Sequence, residues 1–510
     1  MRLSGNLLAG LANSIWSALI GLAVVPFYLK YLGIEAYGLI GFFVTTQALL
    51  SLLDMGLAPT ISREVARYSA SGNLQEAGKL LHTLAIVYWS MAGAIALLIL
   101  VLAPLIAEYW LQSKQFSPQS ISHAVMLMGL VIACRWPIVL YQGALIGAER
   151  LAVSSSVSIV MATLGSLGAV CVLAFVSPTI EAFFIWQAGV GLVYAVTMRW
   201  ATWRVIGRLK WLRFDVDELK RIWHFSVGMS GVALSATVLT QLDKVILSKM
   251  LSLEEFGHYM LATLVANGLY ILILPTFNAV FPRLSALVVA GDTEKLTDLY
   301  RIGTRMLATV LFPIAMLLVI FPQDIVYLWT GNPTIAISVA PVIAFLAIGT
   351  ALHGVMFLPY ALQLAYGMAR LPLIINVLLM IVLIPLIISL ALKYGALGGA
   401  MAWLSFHVLY VLLGTWLTHR HLLKGVGRIW LMQDVGIPLV LSFLTGLVGH
   451  YLIHNYEYSA FTKLMLGSGL SLIAVFVSIA LLPTHMRVII LQTIWRQNNM
   501  KPILNTPRNK

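Results

Sequence analysis

The chain consists of long apolar stretches separated by short polar segments, and this pattern limits what it can fold into. A helix needs about 20 apolar residues to cross hydrocarbon about 30 Å thick, because it rises about 1.5 Å per residue. The sequence contains fourteen such stretches, at 6–29, 37–57, 81–107, 121–147, 152–176, 181–198, 225–248, 257–280, 303–321, 335–365, 371–392, 396–417, 434–454 and 464–483. They do not alternate over about ten residues, as the strands of a transmembrane barrel would. The pattern predicts an all-α integral membrane protein with about 14 transmembrane helices.

Charged residues make up only 10% of the chain, against about 25% in soluble domains. The net charge of +13 comes from scattered Lys and Arg, so it does not indicate a nucleic-acid partner. Both cysteines, Cys134 and Cys171, lie within apolar stretches. They cannot build a disulfide framework or a Cys/His metal site.

The distribution of Lys and Arg indicates the orientation, because basic residues concentrate in cytoplasmic segments. With the N-terminus in the cytoplasm, 25 of the 32 bases fall in cytoplasmic segments, counting Arg305 at the start of span 9 with them, and five in outer loops, while Arg135 and Lys244 lie deeper within spans. We therefore expect both termini in the cytoplasm. The polar segments are too short to fold as an aqueous domain, which argues against a glycosyltransferase.

The chain also repeats itself at an offset of 219 or 220 residues. The aligned positions are Glu35, Tyr37 and Gly38 with Glu254, Phe256 and Gly257; Gly72-Asn73 with Gly291-Asp292; and Gly147 and Arg150 with Gly367 and Arg370. We interpret the chain as two pseudo-symmetric six-helix lobes, 1–215 and 216–430, followed by two extra transmembrane helices and a basic cytoplasmic tail in 431–510. Because each lobe has an even number of helices, the repeat is parallel. Such repeats are typical of transporters that move one lobe against the other.

Several motifs resemble those of the polysaccharide transporter (O-antigen flippase) family. They are Tyr31-Leu-Gly-Ile-Glu-Ala-Tyr-Gly-Leu39, Leu53-Asp-Met-Gly-Leu57 and Ser62-Arg-Glu-Val-Ala66 in the first lobe, and Gln241-Leu-Asp-Lys244, Gly257-His-Tyr259 and Phe281-Pro-Arg-Leu-Ser285 in the second. This family belongs to the multidrug/oligosaccharidyl-lipid/polysaccharide exporter superfamily. The motifs mark loop turns and helix ends, so they specify the fold better than the cargo.

The resemblance implies a multi-pass protein of the bacterial cytoplasmic (inner) membrane. It implies that alternating access exports a polyprenyl-diphosphate-linked oligosaccharide for O-antigen, capsule or exopolysaccharide synthesis. The implied partners are this lipid-linked cargo, membrane lipids, a polysaccharide polymerase and a chain-length regulator. No cofactor is expected, and coupling to a proton or sodium gradient is compatible with the resemblance. A lipid II-type flippase and a cation-coupled multidrug antiporter on the same fold remain alternatives.

Such a cargo carries two phosphates and many hydroxyls, whose transfer into hydrocarbon costs on the order of tens of kcal/mol. A flippase therefore needs a hydrated, weakly cationic path, and polar residues within spans are the candidates for lining it. Arg135 lies near the middle of span 4, and Gln142 follows one heptad later on the same face. A guanidinium suits a diphosphate bidentately. The alternative is a structural arginine bonded to carbonyls freed near Pro137.

Spans 10 and 12 carry histidines on polar stripes with helical spacing. Span 10 contains His353, Tyr360 and Gln363, and span 12 contains His407 and Tyr410. The aromatic rings suit stacking on sugars, and the imidazoles are the titratable groups available for proton coupling. Hydrogen-bonded packing histidines are the alternative.

Three further spans contribute cavity candidates. Gln241 and Lys244 share one face of span 7, Asn13 lies on the polar face of span 1, and Asp54 ends span 2 near the cytoplasmic surface. Lys244 could instead snorkel or pair with Asp243. Asp54 is a candidate gate residue, and pairing with Arg63 or Arg67 is the plain alternative.

The basic character of these candidates favours an anionic cargo. A cation-coupled drug antiporter needs a buried carboxylate, and spans 1, 4, 5, 10 and 12 contain no Asp or Glu. A membrane polymerase or ligase would need a large catalytic outer loop, which no segment provides. We therefore expect a transporter rather than an enzyme, with no catalytic residues and no metal site.

Overall fold

The computed structural model describes residues 2–207, 214–454 and 458–481, and the chain is helical across these ranges. The helices are α1 (Arg2–Leu50), α2 (Leu57–Ala70), α3 (Leu74–Tyr109), α4 (Pro118–Gly147), α5 (Leu151–Phe175), α6 (Ile180–Ile206), α7 (Val216–Met250), α8 (Leu253–Asn267), α9 (Tyr270–Ala290), α10 (Thr293–Ile320), α11 (Pro322–Thr330), α12 (Pro333–Ala365), α13 (Arg370–His421), α14 (Val426–Ile429), α15 (Ile437–His454) and α16 (Ala460–Ala480). A 3-10 turn, Ser51–Asp54, follows α1, and a π-helix, Trp430–Gly436, precedes α15. The predicted all-α fold is confirmed. The predicted basic tail beyond 481 lies outside the described residues.

Two helices are long enough for two membrane crossings each. Among the described residues, eleven helices have the length and apolar composition of a membrane span. Of these, α1 has 49 residues and α13 has 52, so a straight rod of either would measure about 75 Å, more than twice the hydrocarbon thickness. Both bend at a glycine, Gly33 with φ 81° and Gly395 with φ 58°, because only a residue without Cβ turns there without strain. These bends fall in the loops predicted after spans 1 and 11. The total of fourteen crossings and the cytoplasmic termini stay predictions.

The predicted eighth span, 257–280, is interrupted. Here α8 ends at Asn267 and α9 begins at Tyr270. The Gly268 and Leu269 amides donate to carbonyls three residues earlier, at 3.1 and 3.2 Å, which tightens the chain into a 3-10 turn. The equivalent break lies 219 residues earlier, where α1 ends at Leu50 and the 3-10 turn follows. Apolar composition alone gave no sign of either break.

The first hairpins of the two sequence repeats cross at a pair of equivalent glycines. A Cβ added to Gly38 would lie 2.3 Å from the carbonyl oxygen of Leu253, and a Cβ added to Gly257 would lie 2.3 Å from that of Ile34. Gly38 aligns with Gly257 in the repeat, and Ile34 aligns with Leu253. The contact is therefore the same on both sides, as in a two-fold interface. Glycine is needed at both positions, because a Cβ would prevent the two backbones from approaching so closely.

Packing divides the chain into two compact units. The first comprises Met1–Leu261, Trp329–Gly331 and Met380–Gly399, and within it α4 packs against α2, α3 and α6. The second comprises Ala262–Leu328, Asn332–Leu379 and Ala400–Lys510, and within it α10 packs against α9, α12, α15 and α16. Their repeat-equivalent helices α4 and α12 are the most buried candidate spans, with 67% of the most apolar window inside the protein. The predicted repeat boundaries at 215 and 430 describe sequence similarity rather than packing, and they stay a prediction.

The glycine crossing gives the first testable prediction. Gly38→Ala and Gly257→Ala each force a Cβ into a carbonyl oxygen, so each should destabilise the protein by about 1–3 kcal/mol, as overpacking does. Gly93→Ala is the matched control, because a Cβ at this helical glycine meets nothing within 4 Å and alanine favours the helix. Thermal melting of purified protein measures all three. Equal melting temperatures for the Gly38, Gly257 and Gly93 variants would contradict the tight crossing.

Candidate functional site

Two polar contacts between side chains join the facing sides of α4 and α6. In the first, Arg135 Nη2 donates to Gln187 Oε1 at 2.6 Å; in the second, Gln142 Nε2 donates to Tyr194 Oη at 2.8 Å. Both contacts repeat after seven residues on each helix, so the same two faces are in register. Ser158 of α5 joins the second contact, with its hydroxyl 2.6 Å from that of Tyr194. We call these five residues the arginine cluster.

Arg135 is held by a neutral partner. Gln187 is 7% exposed, and its Nε2 donates to the carbonyl of Gly165 at 3.2 Å, which fixes the amide from behind. The guanidinium carbon also lies 5.8 Å from the centre of the Phe43 ring. Across the described parts of the chain, no carboxylate lies within 4 Å of Arg135. The bond to Gln187, rather than to carbonyls near Pro137, is what holds this arginine.

Helix α1 adds an unused acceptor. Asn13 Oδ1 is buried and has no hydrogen-bond partner among the described residues. Asn6, two turns earlier, is fully engaged instead: its Nδ2 donates to the carbonyl of Glu149 at 2.8 Å, and its Oδ1 accepts from the Ala152 amide at 3.0 Å. Buried acceptors are nearly always satisfied in folded proteins, so Asn13 marks a place for water or a ligand.

The second unit contains a cluster of imidazoles and aromatic rings. His353 of α12 and His407 of α13 lie with ring centres 4.8 Å apart, and Tyr270 Oη lies 2.6 Å from His353 Nδ1. Trp403 packs 4.3 Å from His407, and Tyr410 packs 6.1 Å from His353. The predicted stripes of spans 10 and 12 thus face each other. We call Tyr270, His353, Trp403, His407 and Tyr410 the imidazole cluster.

Two other residues of the span 10 stripe make separate contacts. Tyr360 stacks on Phe277 with ring centres 5.9 Å apart, outside the imidazole cluster. Gln363 is 2% exposed, and its Nε2 donates to Thr418 Oγ1 at 2.7 Å. Gln363 therefore ties α12 to α13 by a buried bond, and the structure gives it a packing contact.

Lys244 is neutralised by its neighbour. Its Nζ lies 3.0 Å from Asp243 Oδ1 and donates to the Thr240 carbonyl at 2.8 Å, while Tyr259 Oη donates to Asp243 Oδ2 at 2.6 Å. Asp243 and Lys244 are 2% and 8% exposed. Of the alternatives considered for Lys244, the structure shows the pairing with Asp243. Gln241 lies half-buried one turn earlier on α7.

Asp54 has a different partner from the two arginines expected for it. It lies in the 3-10 turn after α1, where it accepts from the Tyr88 hydroxyl and from the Ala58 amide at 3.2 Å. Arg63 and Arg67 contact Glu64 instead, at 2.8 and 2.6 Å. The alternative of pairing with Arg63 or Arg67 was wrong, because the buried carboxylate of Glu64 on the same helix contacts both arginines. Asp54 thus joins the turn to α3.

A further set of bonds links the two repeats near the Gly33 bend. The Leu253 amide donates to the Gln112 carbonyl at 2.7 Å, and Trp110 Nε1 donates to Ser248 Oγ at 3.0 Å. Glu35, 2% exposed, accepts from Ser113 Oγ, the Lys114 amide and the Gln115 amide at 3.1, 2.7 and 3.0 Å. The topology predicts that this region, which we call the outer junction, lies at the periplasmic end.

Sequence reasoning missed several of these residues. Gln187, Tyr194, Ser158 and Tyr270 were not singled out. The heptad spacing of Gln187 and Tyr194 repeats that of Arg135 and Gln142, and this match was the available signal. Ser158 and Tyr270 gave no signal, because single hydroxyls are common in membrane helices.

Comparison with known proteins gives family matches over most of the chain. Residues 6–288 match the family described as polysaccharide biosynthesis protein, and residues 229–388 match the family described as MatE. The Shigella flexneri protein named "Putative O-antigen transporter" is 23% identical over 422 residues, which cover 80% of this chain and 97% of that protein.

Solved structures share the fold. The lipid II flippase MurJ in an inward closed conformation superimposes with a TM-score of 0.70 at 14% identity, covering 92% of this chain and 98% of that one. An inward-facing multidrug resistance MATE family transporter of the MOP superfamily gives a TM-score of 0.63 at 14% identity, covering 80% and 96%. The chain therefore has a two-lobed, all-helical membrane fold of this kind.

The buried pair on α7 gives the second prediction. Lys244→Met leaves the Asp243 carboxylate buried without its counter-ion, so it should cost about 3–5 kcal/mol of stability. Adding Asp243→Asn should recover most of that loss, because the remaining groups are neutral. Lys424→Met, at an exposed lysine between α13 and α14, is the control and should change stability by about 0.5 kcal/mol or less. A fully stable Lys244→Met protein that cannot transport would show instead that Lys244 acts on the cargo.

Proposed function

Because the chain belongs to the polysaccharide biosynthesis protein family of the multidrug/oligosaccharidyl-lipid/polysaccharide exporter superfamily, we propose that its cargo is a polyprenyl-diphosphate-linked oligosaccharide. It is a multi-pass transporter of the bacterial inner membrane. The exported oligosaccharide would supply surface polysaccharide synthesis, as O-antigen, capsule or exopolysaccharide.

The unneutralised guanidinium of Arg135 carries this proposal. An arginine at the centre of a membrane helix costs at least about 2.5–3.5 kcal/mol, and here a neutral amide, not a carboxylate, contacts it. A positive charge that no carboxylate neutralises attracts an anion, and a phosphate accepts two parallel bonds from a guanidinium. Gln142, Tyr194, Ser158 and the open acceptor of Asn13 add neutral polar groups suited to the hydroxyls of a sugar.

The imidazole cluster supports a role in coupling and in sugar contact. Tyr270, Trp403 and Tyr410 supply aromatic faces, on which sugar rings stack through their apolar sides. His353 and His407 are titratable groups within spans, and histidine changes charge between about pH 5 and 8. We propose that these imidazoles couple transport to a proton gradient, with sodium as the alternative ion.

Alternating access is the proposed mechanism. The lobes 1–215 and 216–430 would open and close around the polar groups, while α15 and α16 form the added pair of 431–510. The symmetric crossing at Gly38 and Gly257 provides a pivot, since its small contact joins equivalent hairpins. The outer junction would close the periplasmic side, because its backbone bond from Leu253 to Gln112 joins the two repeats.

Two alternatives use the same fold. A lipid II-type flippase is favoured by the likeness to MurJ over 92% of the chain, and its cargo shares the diphosphate chemistry. A cation-coupled drug antiporter needs an available buried carboxylate, and Asp243 is occupied by Lys244 and Tyr259. Transport here needs no covalent step, and the proposed partners are membrane lipids, a polysaccharide polymerase and a chain-length regulator.

The third prediction tests the cargo. Arg135→Ala should reduce surface glycan at least about tenfold, because loss of a charge-assisted contact costs about 1.5–3 kcal/mol. The polyprenyl-linked precursor should accumulate on the inner leaflet, where mass analysis identifies the cargo. Arg204→Ala, an exposed arginine of the same lobe, should leave both unchanged. Normal glycan in Arg135→Ala cells with normal protein levels would remove Arg135 from the mechanism.

The fourth prediction tests coupling. In the double variant His353→Gln and His407→Gln, transport into proteoliposomes should lose its response to an imposed pH gradient, because no imidazole remains in the cluster. Each single variant should retain part of the response. A double variant with the pH dependence of the wild type would exclude these imidazoles as the coupling groups.

A further inference from the structure

Arg135 differs from Lys244 and Arg301 in the charge of its partner, and within the described ranges it shares with Arg305, which donates to the Gln433 and Leu481 carbonyls, the lack of a contacting carboxylate. Lys244 contacts the Asp243 carboxylate at 3.0 Å, and Arg301 contacts the Asp434 carboxylate at 2.8 and 3.2 Å. Both of those carboxylates are almost fully buried, at 2% and 1% exposure. At Lys244 and Arg301 a buried carboxylate thus neutralises the cation.

Gln187 has the shape of a glutamate without its charge. Its Oε1 accepts from Arg135 at 2.6 Å, and its Nε2 is tied to the Gly165 carbonyl at 3.2 Å. A glutamate of the same length would accept the same bond from Arg135, and it would add a negative charge at this distance. A glutamate could not donate to the Gly165 carbonyl, whereas the amide of Gln187 is held at both ends by its two hydrogen bonds.

We propose that Gln187 is a positioning residue that orients the Arg135 guanidinium and preserves its positive charge for a phosphate of the cargo. This inference rests on the proposed function and adds the residue that makes the site selective for an anion. The selectivity comes from an amide where a carboxylate would fit.

The remaining donors of Arg135 make the arrangement suitable for a phosphate. A guanidinium has five N–H donors, and the contact with Gln187 uses one nitrogen. The Phe43 ring lies against the guanidinium, leaving other N–H groups of the fork for phosphate oxygens. The second contact, between Gln142 and Tyr194, is neutral as well, so no charge of the arginine cluster competes with the ligand.

The test compares variants that separate charge from shape. Gln187→Glu keeps the bond to Arg135 and neutralises it, whereas Gln187→Met keeps the size and removes the bond. Gln75→Glu makes the same chemical change at an exposed position of α3 and is the matched control. Binding of farnesyl diphosphate and of uncharged farnesol is measured on the full-length protein in nanodiscs, together with thermal melting.

Diphosphate binding should fall without a matching loss of stability. Gln187→Glu should melt near the wild type, because the ion pair with Arg135 offsets the lost bond to Gly165, yet it should bind farnesyl diphosphate at least about tenfold more weakly. Gln187→Met should weaken diphosphate binding by a smaller factor, about threefold. Farnesol binding should stay within about twofold in every variant, since the tail contacts are unchanged. Gln75→Glu should bind both ligands as the wild type does.

The results with Arg135→Ala and Gln187→Glu separate the role of Gln187 from the anion site on which that role depends. If Arg135→Ala also binds farnesyl diphosphate normally, the proposed anion site is wrong. If Arg135→Ala loses binding while Gln187→Glu retains it, the site stands and the role of Gln187 is overturned. If Gln187→Glu does not fold, Gln187→Met decides, and diphosphate binding by Gln187→Met as tight as that of the wild type overturns the inference.

Discussion

A positive charge that is buried in a membrane helix without a counter-ion must have its cost met by other contacts. At Arg135 these contacts are one amide, one aromatic ring and the helices around α4, which is among the most buried spans of the chain. A carboxylate at the position of Gln187 would lower that cost and would also cancel the charge. The proposed function, and the selectivity for an anion, depend on the protein retaining this uncancelled charge.

The two sequence repeats share backbone features but differ in the polar residues that their equivalent helices carry. The equivalent glycines Gly38 and Gly257 cross symmetrically, and the helix breaks after Leu50 and Asn267 occupy matching positions. The repeat partners α4 and α12 are equally buried, but α4 carries a guanidinium where α12 carries an imidazole two positions from the aligned site. One repeat is therefore suited to holding an anion and the other to titration and aromatic stacking.

Much of the helical fold was predictable because apolar length responds directly to the bilayer. The bends at Gly33 and Gly395 fell where the short loops were expected, whereas the break near Gly268 depends on local 3-10 bonding and left no mark in hydropathy. Helical spacing correctly brought His353 and His407 to facing stripes. It could not tell that Gln363 bonds to Thr418, because a stripe specifies a face and not the partner across it. The pairing of Lys244 with Asp243 was one of the alternatives that the sequence left open. Gln187 was missed for the same reason: its importance lies in contacting Arg135 from a different helix.

The most direct measurement is a structure of the protein in nanodiscs with its lipid-linked oligosaccharide bound. The account predicts that the diphosphate lies within about 3 Å of the Arg135 guanidinium, as charge-assisted bonds require, and that Gln187 retains its contact with the same side chain. A diphosphate bound elsewhere, with Arg135 contacting only protein, would contradict it.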